Sequence, residues 1–178
     1  MLGSAKAKPV AVVEYDPAWP EYFEFLRKRI AGTIGDLATA IEHVGSTAVP
    51  NLAAKPIIDI DVLLKSDDML PVAIERLAIL GYVHRGDLGV PEREAFLAPA
   101  RDLPHHLYIC PPRSAEFRRH VAFRNFLRAH PEEAKIYGDL KIALAERFRD
   151  DRPAYVTAKS EFVNQLTSVA IRDSEERS

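Results

Sequence analysis

The feature that most constrains this chain is a nearly continuous apolar run at residues 56–64, with the sequence PIIDIDVLL. Runs of this length and composition are typical of a central strand that is buried on both faces of a sheet. Two carboxylates, Asp59 and Asp61, interrupt the run at alternate positions. Because successive side chains of a strand point to opposite faces, both carboxylates are expected on one face, with the intervening apolar residues on the other.

Two carboxylates that share one face repel each other, so at least one tends to stay protonated unless a cation lies between them. Mg²⁺ removes this conflict because it is a hard cation that prefers oxygen ligands. The sequence therefore predicts a Mg²⁺ site formed by Asp59 and Asp61. In the alternative interpretation, one aspartate caps a neighbouring loop and the other pairs with Lys55 or an arginine.

A glycine and a serine, Gly45 and Ser46, directly follow a predicted strand at residues 38–44. A glycine lets the backbone approach a phosphate closely, and the amides at a helix start provide an anion site. Combined with a metal on the next strand, this turn predicts a nucleoside triphosphate as ligand, with Gly45 and Ser46 holding its triphosphate.

The rest of the sequence predicts an α/β (α+β) fold, a mixed sheet flanked by helices with a helical C-terminal third. Apolar spacings of three and four predict the first helix at residues 18–34, and a short apolar run predicts a strand at residues 10–15. Cap, turn and proline signals predict the other elements. These are helices at residues 69–80, 114–129, 131–148 and 153–171, and strands at residues 82–84, 94–98 and 105–110.

The length of 178 residues fits one domain of ordinary size. We predict a single domain at residues 10–172, with a sheet part at 10–112 and a helical part at 113–172. Flexible tails are expected at residues 1–9 and 173–178.

The composition excludes several classes of protein. A formal net charge of −2 argues against a protein whose main task is to bind a nucleic acid, whereas small anionic ligands remain compatible with it. The single cysteine, Cys110, cannot form an internal disulfide, and we interpret it as a buried thiol. With no apolar stretch of membrane-spanning length and no obvious signal peptide, we expect a cytoplasmic protein without membrane contact. Nothing in the sequence indicates a protein partner.

The order of these motifs resembles a known signature. A strand, Gly-Ser, a dozen residues and then Asp-hydrophobic-Asp on the next strand resemble the nucleotidyltransferase fold of polymerase-beta-like enzymes. More narrowly, two segments closely resemble the GrpB (glutamate-rich protein B) family: residues 43–50 (HVGSTAVP) and 53–60 (AAKPIIDI). The resemblance extends from about residue 13 to residue 170.

The resemblance implies a nucleotidyltransferase-type fold. Relatives of the family occur fused to the kinase that phosphorylates dephospho-coenzyme A, so a nucleotide or a coenzyme is implied as the small-molecule partner. Asn51 stands where a glycine is expected in the family, which could stiffen or re-aim the loop after Pro50.

A larger departure concerns the third carboxylate that active transferases of this fold usually carry on a later strand. Here that strand carries His106 and Tyr108 on one face, so His106 is a candidate metal ligand or general base. A hydrogen-bonded structural role for His106 is the alternative. Glu94 and Asp102 are weaker candidates for the missing acid.

Positive charge is expected from Lys55 and from two helical pairs, Tyr137 with Lys141 and Tyr155 with Lys159, each four residues apart. In the functional interpretation, the rings stack on a base and the ammonium groups reach phosphates. In the structural interpretation, the pairs are ordinary helix packing with extended lysines.

The helix after Ser114 is locally basic. These charges could line the same cleft or form a surface for an acidic partner, but we expect them mainly on a solvated face. They are Arg118, Arg119, His120, Arg124, Arg128 and His130.

Two hypotheses follow. In the first, the protein is a Mg²⁺-dependent nucleotidyltransferase with Asp59, Asp61 and His106 as catalytic residues. In the second, it is a non-catalytic protein that binds or senses a nucleotide or coenzyme and lacks the third carboxylate.

Overall fold

The computed structural model describes residues 9–176 of the chain. Within this range, two α-helices and five strands make up the first two thirds, and three further α-helices form the last third. In chain order the elements are α1 (Trp19–Ile34), β1 (Ala38–Val44), β2 (Ile58–Leu64), α2 (Leu70–Ile79), β3 (Val83–His84), β4 (Glu94–Leu97), β5 (His105–Cys110), α3 (Ala115–Ala129), α4 (Pro131–Arg147) and α5 (Arg152–Glu176).

The sheet is mixed, as predicted, with its strands in the order β1-β2-β5-β4-β3. Strand β2 pairs antiparallel with β1 and parallel with β5, which places the apolar run of the sequence inside the sheet. In the register of β2 and β5, Asp59 lies opposite His106, and Asp61 lies opposite Tyr108. The sheet therefore brings together side chains that are far apart in the sequence.

One face of the sheet packs against α1 and α2. The buried stripe of α1, which the spacing of its apolar residues predicts, meets Ile60 and Val62 of β2 in one apolar cluster. Burial of each such side chain contributes about 1.5–3 kcal/mol relative to its exposed state. This cluster fixes β2 from one side and leaves its two carboxylates on the other face.

The opposite side of the molecule holds the helical third. Its own apolar cluster joins Leu52 to α3, α4 and α5 through residues such as Leu127 and Ala170. Helix α3 begins where predicted, because the Ser114 hydroxyl accepts a hydrogen bond of 3.0 Å from the Phe117 amide. Pro131 is tolerated at the start of α4 because proline has no amide hydrogen, and a first-turn amide would have no hydrogen-bond partner within the helix.

Two elements differ from the sequence prediction. The strand expected at residues 10–15 is wrong: the segment makes a single β-bridge, between Val13 and Ala54, and Val10 packs instead against helical residues. Helix α5 continues through Glu176, past the predicted start of a tail at residue 173, since no proline or glycine interrupts it. Residues 1–8 of the first predicted tail and residues 177–178 of the second lie outside the described range.

No helix within residues 9–176 is both long enough and apolar enough to span a membrane.

Candidate functional site

The turn after β1 is built against the first carboxylate of β2. Gly45 has φ 71° and ψ −171°, a conformation that is essentially restricted to glycine. A Cβ atom at this position would lie 2.3 Å from Oδ2 of Asp59, so a larger residue would displace that carboxylate. The turn leads into a short 3₁₀ helix at Ser46–Ala48, as the hydroxyl residues suggested.

The loop after this turn contains the departure from the family pattern. Asn51 has φ 62°, in the left-handed region that favours glycine and that asparagine tolerates better than most residues. Asn51 therefore adopts a backbone conformation that a glycine at this position would also adopt.

The two aspartates of β2 share one face, as predicted, and each is bound by a histidine. His106 Nδ1 donates to Asp59 Oδ1 over 2.8 Å, and His120 Nδ1 donates to Asp61 Oδ2 over 2.7 Å. The Asp59 side chain is 30% exposed, whereas that of Asp61 is fully buried. The second oxygen of Asp61, Oδ1, is also buried and has no hydrogen-bond partner within residues 9–176.

Burial and the neighbouring imidazole act in opposite directions on the inner pair. Burial raises the pKa of Asp61, and the hydrogen bond from His120 opposes this rise. Burial also disfavours the charged form of His120, but the hydrogen bond and negative charge of Asp61 outweigh it and raise the pKa of the imidazole. The pair is therefore an electrostatically coupled unit that holds one oxygen of Asp61 in place.

Next to Asp59 lies a pocket of about 250 Å³ that collects most of the predicted binding residues. Its lining includes Ser46, Lys55, Asp59, His106, Lys141, Arg152, Tyr155 and Lys159. These residues come from the turn after β1, the start of β2, β5, α4 and α5. The structure thus brings together residues that are spread over more than half of the chain.

The lysines of this pocket are partly desolvated. Lys141 Nζ donates to Ser46 Oγ over 2.8 Å, and burial, assisted by the positive charge of Lys159, lowers the pKa of Lys141 to about 7. Burial also lowers the pKa of Lys159 and, together with the charges of Lys159 and Arg152, that of Lys55. Cations held close together away from water favour an anionic ligand.

The two predicted tyrosines lie beneath these lysines rather than open to solvent. The Tyr155 ring is contacted by Lys55 Nζ at 4.5 Å and by Lys159 Nζ at 5.6 Å from its centroid, and the residue is 1% exposed. Tyr137 is 3% exposed and belongs to the helical core, with Lys141 Nζ at 4.5 Å from its ring centroid. Each pair shares a helical face, as predicted, but neither ring is open for stacking on a ligand.

The weaker candidates for a third acid are engaged elsewhere. Glu94 pairs with His84 at 2.6 Å, and Asp102 pairs with Arg29 at 2.9 Å. Burial raises the pKa of Cys110 to about 12, which agrees with its interpretation as a buried thiol.

Part of the basic helix α3 faces the protein rather than solvent, although Arg118 and Arg128 are exposed as expected. Arg124 is 7% exposed, and its Nη1 donates to Glu42 at 2.6 Å and to the His43 carbonyl at 2.8 Å. Arg128 donates to the Ala48 carbonyl at 2.8 Å. The spacing of His120, Arg124 and Arg128, four residues apart, was the signal that they share the helical face that contacts β1, β2 and the turn after β1.

Sequence reasoning did not assign His120 or Arg152 to the site. It also did not predict a larger groove of about 960 Å³ beside the free edge of β1, lined by residues of α1, α3 and α4. That groove contains none of the predicted site residues.

Asp59 and Asp61 fit a divalent cation that completes its shell with ligand oxygens. Within the described residues, no group of three or more His, Cys, Asp or Glu side chains is placed to hold a metal ion by itself. The unpartnered, buried Oδ1 of Asp61 is an oxygen that such a cation would satisfy. Mg²⁺ is commonly held in this way, by one or two carboxylates plus phosphates of the substrate.

Comparison with known proteins identifies related sequences and structures. Residues 9–168 match the family described as GrpB protein. The UPF0157 protein YqkA of Bacillus subtilis is 33% identical over 165 residues, which cover 93% of this chain and 48% of that protein. The chain thus spans about half the length of this relative.

Solved structures agree with this assignment. The crystal structure of the conserved protein GrpB from Enterococcus faecalis is 34% identical and superposes with a TM-score of 0.84, over 92% of this chain and 98% of that one. A mutant of the Cid1 poly(U) polymerase bound to MgATP superposes with a TM-score of 0.54 at 10% identity, over 76% of this chain and 44% of that one. At such low identity the second likeness concerns the fold alone.

Proposed function

The chain belongs to the GrpB family, and from this premise we propose that it binds a nucleoside triphosphate with a divalent metal and transfers a nucleotidyl group to an acceptor. The observation that carries the proposal is the convergence of three parts. The Gly45 turn lies against Asp59, Asp59 lines a pocket of cationic side chains, and Asp61 follows on the same face of β2. The Cid1 polymerase, which shares the fold and was solved with MgATP, supports a nucleotide as the ligand.

In this proposal, Asp59 and Asp61 hold Mg²⁺, which when bound neutralises phosphate charge and acts as a Lewis acid. His120 positions Asp61 through its hydrogen bond, so that the inner carboxylate keeps one orientation. Gly45 matters because its missing side chain leaves the space that Asp59 Oδ2 occupies.

The cationic pocket binds the phosphates. Ser46 and Lys141 are already in contact, and both line the pocket beside Asp59, so they can donate to phosphate oxygens together. Electrostatic stabilisation by such fixed donors contributes most where water is excluded, as it is around the buried Lys141.

His106 is the group placed to accept a proton. Its Nδ1 is held by Asp59, which leaves Nε2 available to take the proton of an acceptor hydroxyl as the acceptor oxygen attacks the α-phosphorus. Pyrophosphate would leave from the opposite side. The imidazole and its aspartate thereby take the place of the missing third carboxylate.

A second candidate is a non-catalytic protein that binds or senses a nucleotide or coenzyme. The observation in its favour is that β5 presents His106 and Tyr108 opposite the two aspartates, where an active transferase of this fold usually carries an acid. Under this hypothesis, the ligand binds as described above but no product forms.

Calorimetric titration of ATP, GTP, CTP and UTP, each with and without Mg²⁺, tests the proposal. We expect Mg²⁺-dependent binding that is lost in the double variant Asp59→Asn, Asp61→Asn. Asp139→Asn, which removes an exposed carboxylate paired with Lys135, is the matched control and should bind normally. Absence of binding by every nucleotide would refute the first candidate and leave only a coenzyme as the ligand of the second.

Product analysis separates the two candidates. Incubation with Mg²⁺-nucleotide and a broad acceptor set, followed by mass spectrometry, should detect a nucleotidylated product that His106→Ala loses. Binding that survives in His106→Ala, with no product from the unmodified protein, supports the binding or sensing function instead.

A further inference from the structure

The pocket beside Asp59 is rich in positive charge for its size. Lys55, Lys141, Arg152 and Lys159 all line it, whereas Asp59 is the carboxylate among its lining residues. Its volume of about 250 Å³ lies below the roughly 300–1,000 Å³ of pockets that enclose drug-sized ligands. The pocket therefore suits a compact polyanion better than an entire nucleotide.

The pocket offers no open tyrosine face to a base. Tyr155 is 1% exposed, and two ammonium groups lie over its ring at 4.5 and 5.6 Å from the centroid. Tyr137 is 3% exposed, and its ring stacks on Phe162 with centroids 5.6 Å apart. Nucleotide sites that select a base usually hold it against such a ring, and here both rings are covered.

Of the serine and threonine hydroxyls of the pocket, that of Thr47 is engaged within the protein, whereas that of Ser46 can still donate its O–H to a phosphate oxygen. Ser46 Oγ accepts from Lys141 Nζ at 2.8 Å. Thr47 Oγ1 contacts His43 Nε2 at 3.0 Å and donates to the Ile57 carbonyl at 3.3 Å. Distinguishing bases requires free donors and acceptors that match the base edges, and apart from Asp59 and His106 the remaining polar side chains of the pocket are cations that suit phosphate oxygens.

From this arrangement we infer that the pocket recognises the polyphosphate chain of its ligand and is indifferent to the base. The inference rests on the proposed function, because it assigns the ligand class of the same site. Inorganic tripolyphosphate therefore binds as well as a nucleoside triphosphate, and the base stays outside the pocket.

Calorimetry at fixed free Mg²⁺ and ionic strength tests this inference. The probes are ATP, GTP, CTP, UTP and inorganic tripolyphosphate, with adenosine as the base without phosphates. We expect the dissociation constants of the five polyphosphates to agree within about threefold and adenosine to give no binding. Lys141→Met should weaken all five by a similar factor, while Lys135→Met, which removes an exposed lysine of the same helix, should weaken none.

The possible outcomes distinguish this inference from the proposed function. A preference of more than about tenfold for one base, or nucleotide binding without tripolyphosphate binding, overturns the inference and leaves the proposed function intact. Binding of tripolyphosphate without any nucleotide supports polyphosphate recognition and refutes the proposed function. If no probe binds, both fail.

Discussion

Replacing Gly45 with alanine tests the most specific local feature of the site, the close approach of the turn to Asp59. The added Cβ would meet Asp59 Oδ2 at 2.3 Å, so the carboxylate must move. The backbone also resists the change, because φ 71° with ψ −171° is a conformation that costs a residue with a side chain about 1–3 kcal/mol.

The expected loss of stability is the sum of these two effects. Movement of Asp59 breaks its hydrogen bond with His106, which is partly exposed and therefore contributes about 1 kcal/mol. Together with the backbone strain, Gly45→Ala should lower the free energy of unfolding by about 2–4 kcal/mol. For a chain of this length, the melting temperature should fall by roughly 5–15 °C.

Two other glycines provide matched controls. Gly86 has the same φ of 71° but no atom within 4 Å of a built Cβ, so Gly86→Ala isolates the backbone term at about 1 kcal/mol. Gly32 lies in α1 with open space around it, and Gly32→Ala should stabilise the protein by about 0.5–1 kcal/mol.

Urea unfolding followed by circular dichroism gives the three free energies, and calorimetry gives Mg²⁺-ATP binding for the same proteins. Gly45→Ala should be the least stable and should lose binding, while both controls bind normally. If Gly45→Ala is no less stable than Gly86→Ala, the turn does not constrain Asp59 and the reasoning is wrong.

Three further results are expected. Burial lowers the pKa of Lys141 to about 7, so the folded protein releases this proton near pH 7, whereas the unfolded chain keeps it up to about pH 10.5. The free energy of unfolding therefore rises with pH between these two values. Urea unfolding from pH 6 to pH 10 should show this rise, and Lys141→Met should flatten it. If the pH dependence of the free energy of unfolding is unchanged in Lys141→Met, Lys141 is not its origin. Arg124→Ala should cost about 1–3 kcal/mol in urea unfolding because it breaks a half-buried ion pair with Glu42 and removes the donor of the buried hydrogen bond to the His43 carbonyl. Arg27→Ala, which breaks an exposed pair, should cost much less, and equal costs would argue against a structural role for Arg124. The raised pKa of His120 gives a stabilising contribution that is complete below its unfolded value of 6.5 and is lost as pH rises through the folded pKa. His120→Ala should therefore remove the fall in stability that deprotonation of His120 causes there, and a fall that persists in the variant would place its origin elsewhere.

The elements that local sequence determines were predictable. The spacing of apolar residues located α1, the turn signals located β1 within its observed bounds, and Ser114 identified the start of α3. The shared face of Asp59 and Asp61 follows from the two-residue period of a strand, and it holds because β2 is central and cannot shift its register without exposing its apolar side chains.

The parts that depend on distant contacts were not predictable. A strand at residues 10–15 would have to pair with a neighbouring strand edge, but this segment forms a single β-bridge, between Val13 and Ala54. His120 reaches Asp61 across 59 residues of sequence. Its spacing places it on one helical face with Arg124 and Arg128, but nothing local shows that this face meets β2. The covering of Tyr155 by lysines likewise depends on how α5 packs beside the start of β2.

The central claim is that Asp59 and Asp61 hold a divalent cation beside a polyphosphate pocket. Crystals grown with Mn²⁺ and an ATP analogue that cannot be cleaved at its α-phosphate, measured at the manganese edge, test it most directly. We expect an anomalous peak from Mn²⁺ about 2.0–2.3 Å from oxygen atoms of both aspartates, with the phosphates of the analogue beside Lys141. A bound analogue in the larger groove beside β1, or no peak at the two carboxylates, would contradict it.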